Sequence, residues 1–199
     1  MTDPKNKEMQ ALVFKNRGAL LTIPAAILAV FGKPSAFSVT VGLPVAIAGE
    51  LIRCWAVGYS GVTTRGDEVT APKLVTAGPY AHVRNPLYVG NFITALGFAI
   101  AFTGKNSLAQ KIGLIGTSLG TMAAVYATII PHEEQFLASQ FGEEFDRYCE
   151  RVPPLAPLAE PAPNGVGEWD PSVIKDAESK TFATFGAILA VLALKALKA

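Results

Sequence analysis

Two polar segments of this 199-residue chain carry residue types that could bind a small charged molecule. In the first segment, residues 74–90, Arg84 stands two positions before Pro86. A proline in the first turn of a helix leaves exposed N–H groups and a positive dipole end. With Arg84 beside that end, the segment could clamp a carboxylate or a phosphate. The second segment opens with Glu133 and Glu134, whose carboxylates could accept hydrogen bonds from hydroxyl groups or offset a cation.

The same residue types also have an ordinary explanation. Acids, arginines and tyrosines flank membrane helices at the water interface without binding any ligand. The net charge of +1 gives no reason to expect nucleic-acid binding. In both cases helices must bring the two segments to one surface. Whether a binding site can form therefore depends on the arrangement of these helices.

The composition predicts that these elements are membrane helices. Half of the residues are hydrophobic and 17% are charged, whereas a soluble domain carries about a quarter charged residues. A span needs roughly 20 apolar residues to cross a hydrocarbon core of about 30 Å. The apolar runs are residues 18–32, 36–59, 87–103, 108–130 and 181–194. The first run is short, and its span could begin near Ala11. The last run is either a fifth span or an interfacial helix, and the span is favoured because the run has no charged face.

The predicted fold is therefore all-α, a polytopic membrane bundle of about five transmembrane helices in a single domain. Only residues 104–107 separate the third and fourth runs, which predicts a tight helical hairpin that brings the two polar segments side by side. Lysine and arginine are concentrated in the N-terminus and in the polar stretches 60–86 and 131–180. This bias predicts that all three regions are cytoplasmic, with chiefly Lys33 and Lys105 on the opposite side.

Charged and small residues inside the predicted spans add two expectations. Glu50 and Arg53 are three positions apart, so they can share a helix face and partly neutralise each other. Charges within a span are functional candidates, although Arg53 could also simply reach the surface while Glu50 pairs with it. Gly116 and Gly120 form a small-xxx-small pair, which predicts close helix packing.

The two polar segments resemble the isoprenylcysteine carboxyl methyltransferase and phospholipid methyltransferase superfamily. The resemblance lies in GPYAHVRNPLYVG, followed by EEQFLASQFGEEFDRYCERVP, and in the segment LIRCWAVG before them. It covers residues 49–154, about half of the chain, and leaves a tail and helix at 155–199. The order and spacing of the motifs, and the hairpin between them, all fit the superfamily pattern.

This resemblance implies an integral membrane methyltransferase that depends on S-adenosylmethionine. The cofactor would enter from the cytoplasm, and a lipophilic acceptor with a carboxylate, amine or thiol would arrive sideways from the bilayer. The implied catalytic residues are Arg84 and Glu133, and His132, which stands where the chain departs from the pattern, could act as the acid or base. By motif position, the cofactor site would be lined by Gly78, Tyr80, Arg84, Asn85, Pro86, Tyr88, Gly90, Glu133, Glu134 and Tyr148.

The chain departs from the superfamily pattern at two places. Asn85 replaces the usual histidine after the arginine, and residues 128–132 replace arginines that precede the acidic pair in the prenylcysteine enzymes. Glu178 and Lys180, in the tail, lie outside the motifs and could cap the acceptor site. Two alternatives remain: a membrane reductase of the sterol-reductase type that uses a nicotinamide cofactor, and a non-enzymatic membrane protein that keeps the fold. No metal is expected.

Overall fold

The structure is a computed structural model that describes residues 4–61 and 70–198, with side chains from residue 8 onward. Six α-helices occupy most of this length, and no strand occurs among the described residues. Short 3-10 turns lie at Gly78–Ala81 and Pro171–Val173. The helices are α1 (Pro4–Phe31), α2 (Ala36–Ser60), α3 (Pro86–Phe102), α4 (Leu108–Phe141), α5 (Glu143–Arg151) and α6 (Ile174–Leu197). The predicted all-α fold is confirmed.

Four described helices are long and apolar enough to cross a membrane by length and composition. They comprise Glu8–Phe31, Ala36–Ser60, Leu108–Phe141 and Pro171–Leu197. The apolar helix α3 is shorter, at 17 residues. This set is compatible with the predicted bundle of about five spans. The run at 181–194 is the core of a longer apolar helix, which begins before the predicted boundary.

Besides the start of α6, two helix boundaries differ from those that the apolar runs predict. Helix α1 begins at Pro4, well before residue 18, because its polar first turns continue the helix beyond the apolar part. Helix α4 does not end at Ile130 but continues through Pro131 to Phe141. An internal proline removes one backbone hydrogen bond, and a long helix can tolerate that loss. Residues 62–69 of the first polar stretch lie outside the described residues.

The described chain forms two compact units. The first unit takes residues from 1–16, 52–89 and 126–178, and the second takes residues from 17–51, 90–125 and 179–199. Both polar segments, up to Val89 in the first, belong to the first unit. The assignment of the whole chain to a single membrane domain, with its motif core at 49–154, stays a prediction.

Small residues let α2 and α3 approach closely in the second unit. A Cβ atom added to Gly42 would meet the carbonyl oxygen of Gly97, and one added to Gly97 would meet the backbone of Ala46. A Cβ atom added to Gly49 would likewise meet Thr94. Glycine is therefore required at these positions, since any side chain would separate the two backbones.

The predicted close packing at Gly116 and Gly120 is wrong for this chain. A Cβ atom added at either position would have no described atom within 4 Å beyond the nearby backbone of its own helix. The spacing of the two glycines is compatible with a packing face, but spacing alone does not say which neighbour reaches it.

We expect Gly97→Ala to destabilise the protein and Gly116→Ala to leave it unchanged or slightly more stable. Overpacking typically costs about 1–3 kcal/mol, whereas alanine in an open helix position gains up to about 1 kcal/mol over glycine. Thermal unfolding in detergent, followed by circular dichroism, measures both variants. Equal shifts in Tm for the two substitutions would contradict the close approach of α2 and α3.

Candidate functional site

The first polar segment forms a turn that leads directly into α3. The 3-10 turn Gly78–Ala81 begins with Gly78 at φ 60°, a left-handed conformation that favours glycine. A side chain at Gly78 would also meet the ring of Tyr59. Helix α3 then starts at Pro86, and the carbonyl of Asn85 accepts the N–H groups of Tyr88 and Val89 at 3.1 and 3.2 Å. The expected helix start at Pro86 is present.

The second polar segment lies on the end of α4 and on α5. Glu133 and Glu134 follow Pro131 on α4, so they are held on a continuous helix rather than on a loop. Phe145 and Tyr148 of α5 are buried in a small cluster with Leu74 of the first segment. This apolar cluster fixes α5 against the first segment, so the polar groups beside it have defined positions.

Arg84 joins the two segments through three hydrogen bonds. Its Nε donates to Oε1 of Glu134 at 2.9 Å, and its Nη1 donates to the carbonyl oxygens of Val152 at 2.7 Å and Cys149 at 3.3 Å. The side chains of Arg84 and Glu134 are 12% and 25% exposed. Its Nη2 group has no hydrogen-bond partner among the described residues. Arg84 therefore holds the two segments together, and its Nη2 group could still donate a hydrogen bond to an anion.

Two further side chains of the first segment reach the acidic pair. The hydroxyl of Tyr88 donates to Oε1 of Glu133 at 2.7 Å, and its ring lies 4.4 Å from that of Tyr126 between centroids. Asn85 Nδ2 donates to the carbonyl of Pro154 at 3.1 Å and lies 3.5 Å from Oε1 of Glu134. The amide at position 85 thus bridges the acidic pair and the chain that follows α5, without carrying a charge.

Tyr80 and Tyr148 are linked by a hydrogen bond from the Tyr148 hydroxyl to the Tyr80 carbonyl oxygen at 2.8 Å. Burial raises the pKa of Tyr80 to about 12, with a smaller contribution in the same direction from Glu133. Burial also raises the pKa of Tyr148. Both phenols are therefore neutral near pH 7, where they can donate hydrogen bonds but cannot act as bases.

Two of the implied site residues have other surroundings. The ring of His132 lies 5.9 Å from that of Phe14, between centroids. Gly90 belongs to the second unit, where its carbonyl would meet a side chain at Gly49. Gly90 thus takes part in the close packing of α2 and α3, which gives it a structural reason to be glycine.

A strap, defined as residues 153–170, covers the first segment and was not predicted to have this role. Main-chain bonds of 2.9 Å run from Arg84 to Pro153 and from Leu158 to the His82 carbonyl, and Nδ1 of His82 lies 2.9 Å from the Leu158 carbonyl. Further bonds join the strap to residues 76, 77 and 81. The proline-rich composition of residues 153–163 predicts that this stretch is not helical, but it does not predict which residues the strap contacts.

The strap ends beside α2 and leads into an ion pair. The indole of Trp169 occupies the space where a side chain at Gly58 would lie. At the start of α6, Oε1 and Oε2 of Glu178 each accept a hydrogen bond from Nη2 of Arg53 at 2.9 Å. These side chains are 11% and 1% exposed for Arg53 and Glu178. Sequence reasoning expected Arg53 to pair with Glu50 and could not identify a partner 125 positions away.

The thiol of Cys149 offers a direct probe of this region. Burial raises the pKa of Cys149 above its ordinary value of 9.0, and nearby carboxylates raise it further while Arg84 opposes them. The thiolate is the reactive form, so its fraction at a given pH is lower than for a free thiol. In a Cys54→Ala background, we expect alkylation by iodoacetamide to reach half its maximal rate at higher pH in the folded protein. Mass spectrometry of folded and denatured samples measures this, and an equal or lower midpoint in the folded sample would contradict it.

Among the residues that the structure describes, no group of three or more His, Cys, Asp and Glu side chains could hold a metal ion.

Comparison with known proteins indicates the family of this chain. The sequence profile of the phospholipid methyltransferase family matches residues 37–144. The nickel-cobalt-cadmium resistance protein NccN of Alcaligenes xylosoxydans xylosoxydans is 34% identical over 62% of this chain and 51% of its own length. The protein-S-isoprenylcysteine O-methyltransferases of Arabidopsis thaliana (form B) and Schizosaccharomyces pombe are 31% and 38% identical, over 59% and 43% of this chain.

The matched region spans only part of these relatives, 58% of the Arabidopsis enzyme and 33% of the Schizosaccharomyces enzyme. No solved structure matches the chain. The family profile covers more than half of the 199 residues and includes both α3 and the acidic pair of α4. This chain, a multi-pass membrane protein by its helices, therefore belongs to the phospholipid methyltransferase family.

Proposed function

We propose that this protein is an integral membrane methyltransferase that transfers a methyl group from S-adenosylmethionine to a lipophilic acceptor. One observation carries the proposal: Arg84 bonds to Glu134 at 2.9 Å and Tyr88 bonds to Glu133 at 2.7 Å. Both contacts join the two family motifs in one unit. The family itself supports methyl transfer over the reductase alternative.

The side chains at this place suit the charged groups of S-adenosylmethionine. The cofactor carries a carboxylate, an ammonium group, ribose hydroxyls and a sulfonium. Among the described residues, Nη2 of Arg84 is an N–H donor without a partner and Oε2 of Glu134 is an acceptor without one. A guanidinium suits the carboxylate, and carboxylates suit ammonium or hydroxyl groups. Arg84, Glu133 and Glu134 would therefore hold the polar groups of the cofactor, with Gly78, Tyr80, Asn85, Pro86, Tyr88 and Tyr148 around them.

When bound, the cofactor supplies an electrophilic methyl group for in-line displacement. The protein's contribution is to bind, orient and exclude water, which supplies much of the rate for such a reaction. The neutral phenols of Tyr80 and Tyr148 and the strap together limit the access of water to the first segment. His132, next to Glu133, is the residue we propose as acid or base toward the acceptor.

We propose a lipophilic acceptor that reaches the site from the bilayer, with the site on the cytoplasmic side. The apolar helices that flank the site support lateral entry, and the lysine and arginine bias supports the orientation. Relatives named as O-methyltransferases support a carboxylate acceptor. The absence of arginines from residues 128–132 keeps an amine or a thiol within the proposal.

Calorimetric titration of the detergent-purified protein with S-adenosylmethionine and S-adenosylhomocysteine tests the proposal. We expect saturable binding of both compounds and no binding of NADPH. The Arg147→Ala variant should bind both compounds with the affinity of the wild type. Arg147 is the matched control because its side chain is 63% exposed and pairs only locally with Glu143. Absence of binding to folded wild type, or saturable binding of NADPH instead, would refute the proposal. Incubation of membrane extracts with methyl-labelled cofactor then identifies the acceptor class.

A further inference from the structure

A cavity of about 850 Å³ opens within the second unit, at the turns that follow α1 and α3 and at the end of α6. Among the lining residues that the structure describes, the charged side chains are all lysines. These are Lys33, Lys105, Lys195 and Lys198. None of the residues proposed for the methyl-transfer site lines this cavity, so an inference about it does not rest on that proposal.

Hydrogen bonds between the two turns preform the cavity wall. The backbone N–H of Lys33 donates to Oδ1 of Asn106 at 2.8 Å, and the backbone N–H of Lys105 donates to the carbonyl of Lys33 at 2.7 Å. Nδ2 of Asn106 donates to the carbonyl of Phe31 at 3.1 Å. Asn106 is itself buried, at 7% exposure. The two lysines therefore start from a fixed backbone rather than from a loose loop.

Lys195 is anchored as well. Its ammonium donates to the carbonyl oxygens of Ala29 at 2.6 Å and Val30 at 3.0 Å, at the last turn of α1. This is the negative end of the helix dipole, where a cation is stabilising. Neutral carbonyls do not cancel the formal charge, and an ammonium has three N–H groups. One donor of Lys195 thus remains beyond these two bonds.

The rest of the cavity wall is apolar or small. Val30, Gly113 and Leu114 line it beside the lysines, and a Cβ atom at Gly113 would have no atom within 4 Å. Large apolar side chains are exposed here, since the lining residue Phe31 is 63% exposed and Leu194, next to the lining residue Lys195 in the chain, is 59% exposed. Positive charge therefore adjoins exposed apolar side chains, the combination that suits an anionic amphiphile.

We propose that this cavity binds the phosphate-bearing headgroup of an anionic membrane phospholipid. The ammonium groups of Lys33 and Lys198 pair with the phosphate, and Lys195 fixes the wall between them. An acyl chain lies against the open face at Gly113 and Leu114. Basic pockets between membrane helices bind anionic headgroups through the same complementarity of charge and solubility.

The test measures lipid binding by the full chain in a neutral detergent. Phosphatidylglycerol, phosphatidylcholine or inorganic phosphate is added, and bound lipid is counted by native mass spectrometry while Tm is followed. We expect phosphatidylglycerol to bind and raise Tm, with phosphatidylcholine and phosphate much weaker. The double variant Lys33→Gln/Lys198→Gln should bind phosphatidylglycerol about tenfold more weakly. The matched control Lys15→Gln/Lys175→Gln removes two exposed lysines outside the cavity and should bind as wild type does.

The variant Gly113→Leu probes the apolar wall separately from the charges. A Cβ atom at this position meets no atom within 4 Å, and leucine favours a helix over glycine, so we expect a Tm without lipid that is unchanged or slightly higher, with a loss of phosphatidylglycerol binding. Equal binding of phosphatidylcholine, or unchanged affinity in both cavity variants, would overturn the proposal. So would phosphate that competes as well as lipid, since the site would then be one for a free anion. A second copy of the chain that excludes lipid, seen as a dimer in native mass spectra, would overturn it too.

Discussion

The Arg84→Ala variant is expected to bind S-adenosylmethionine at least about thirtyfold more weakly than the wild type. The substitution removes the proposed contact to the cofactor carboxylate and also leaves Glu134 without its guanidinium partner. Loss of one partner from a largely buried charge pair costs about 2–5 kcal/mol, and about 2 kcal/mol corresponds to a thirtyfold change. Calorimetry on the purified variant measures the affinity directly.

An effect of Arg84 on folding must be distinguished from an effect on cofactor binding, because Arg84 also donates to the carbonyls of Val152 and Cys149. Arg84→Lys keeps the positive charge but loses the planar fork that reaches several acceptors. We expect it to retain a cooperative thermal transition while the affinity for S-adenosylhomocysteine falls about tenfold or more. Wild-type affinity in a folded Arg84→Lys and in a folded Arg84→Ala protein would remove Arg84 from the proposed site.

Breaking the ion pair between Arg53 and Glu178 is expected to have the largest effect on stability. The carboxylate of Glu178 is 1% exposed and accepts two hydrogen bonds of 2.9 Å from one guanidinium nitrogen. Removal of one partner leaves a buried charge and typically costs about 3–5 kcal/mol. Glu178→Gln and Arg53→Met should therefore each lower the free energy of unfolding by that order, as measured by denaturant unfolding in mixed micelles.

A double-mutant cycle distinguishes this pair from a general sensitivity of α6. The double variant Arg53→Met/Glu178→Gln removes both charges, so we expect its loss of stability to be much smaller than the sum of the losses in the two single variants. Glu143→Gln is the control, since its exposed pair with Arg147 contributes little to stability. Additive losses in the double variant would contradict a direct coupling between Arg53 and Glu178.

The apolar runs located the central helices closely because membrane insertion depends mainly on local composition. Helix α2 matches the run 36–59 to within one residue, and α3 begins at the proline that the sequence marks as its first residue. The apolar run 108–130 lies within α4 but does not give its end, because polar turns continue the helix to Phe141. Hydropathy could not report this, since the last turns of α4 are polar.

The proximity of the two polar segments also follows from local sequence. Four residues between the third and fourth runs allow only an antiparallel hairpin, and Arg84 does lie beside Glu134. The individual contacts could not be predicted from the sequence. Nothing in the spacing shows that Arg84 also bonds to the chain after α5, or that Asn85 contacts Pro154.

The sequence by itself determined the membrane helices, their order, the family and the two polar segments that meet. These depend on hydrophobicity over about 20 residues and on short motifs, both of which are local properties. Tertiary structure alone decided which glycines pack closely, that Arg53 pairs with Glu178, and that residues 153–170 cover the first polar segment. Those outcomes depend on contacts between residues far apart in the chain, where many pairings have similar local chemistry. Arg84 shows the difference: the sequence predicted a charge that could bind an anion, and the fold decided that its Nε and Nη1 bond to Glu134, Cys149 and Val152.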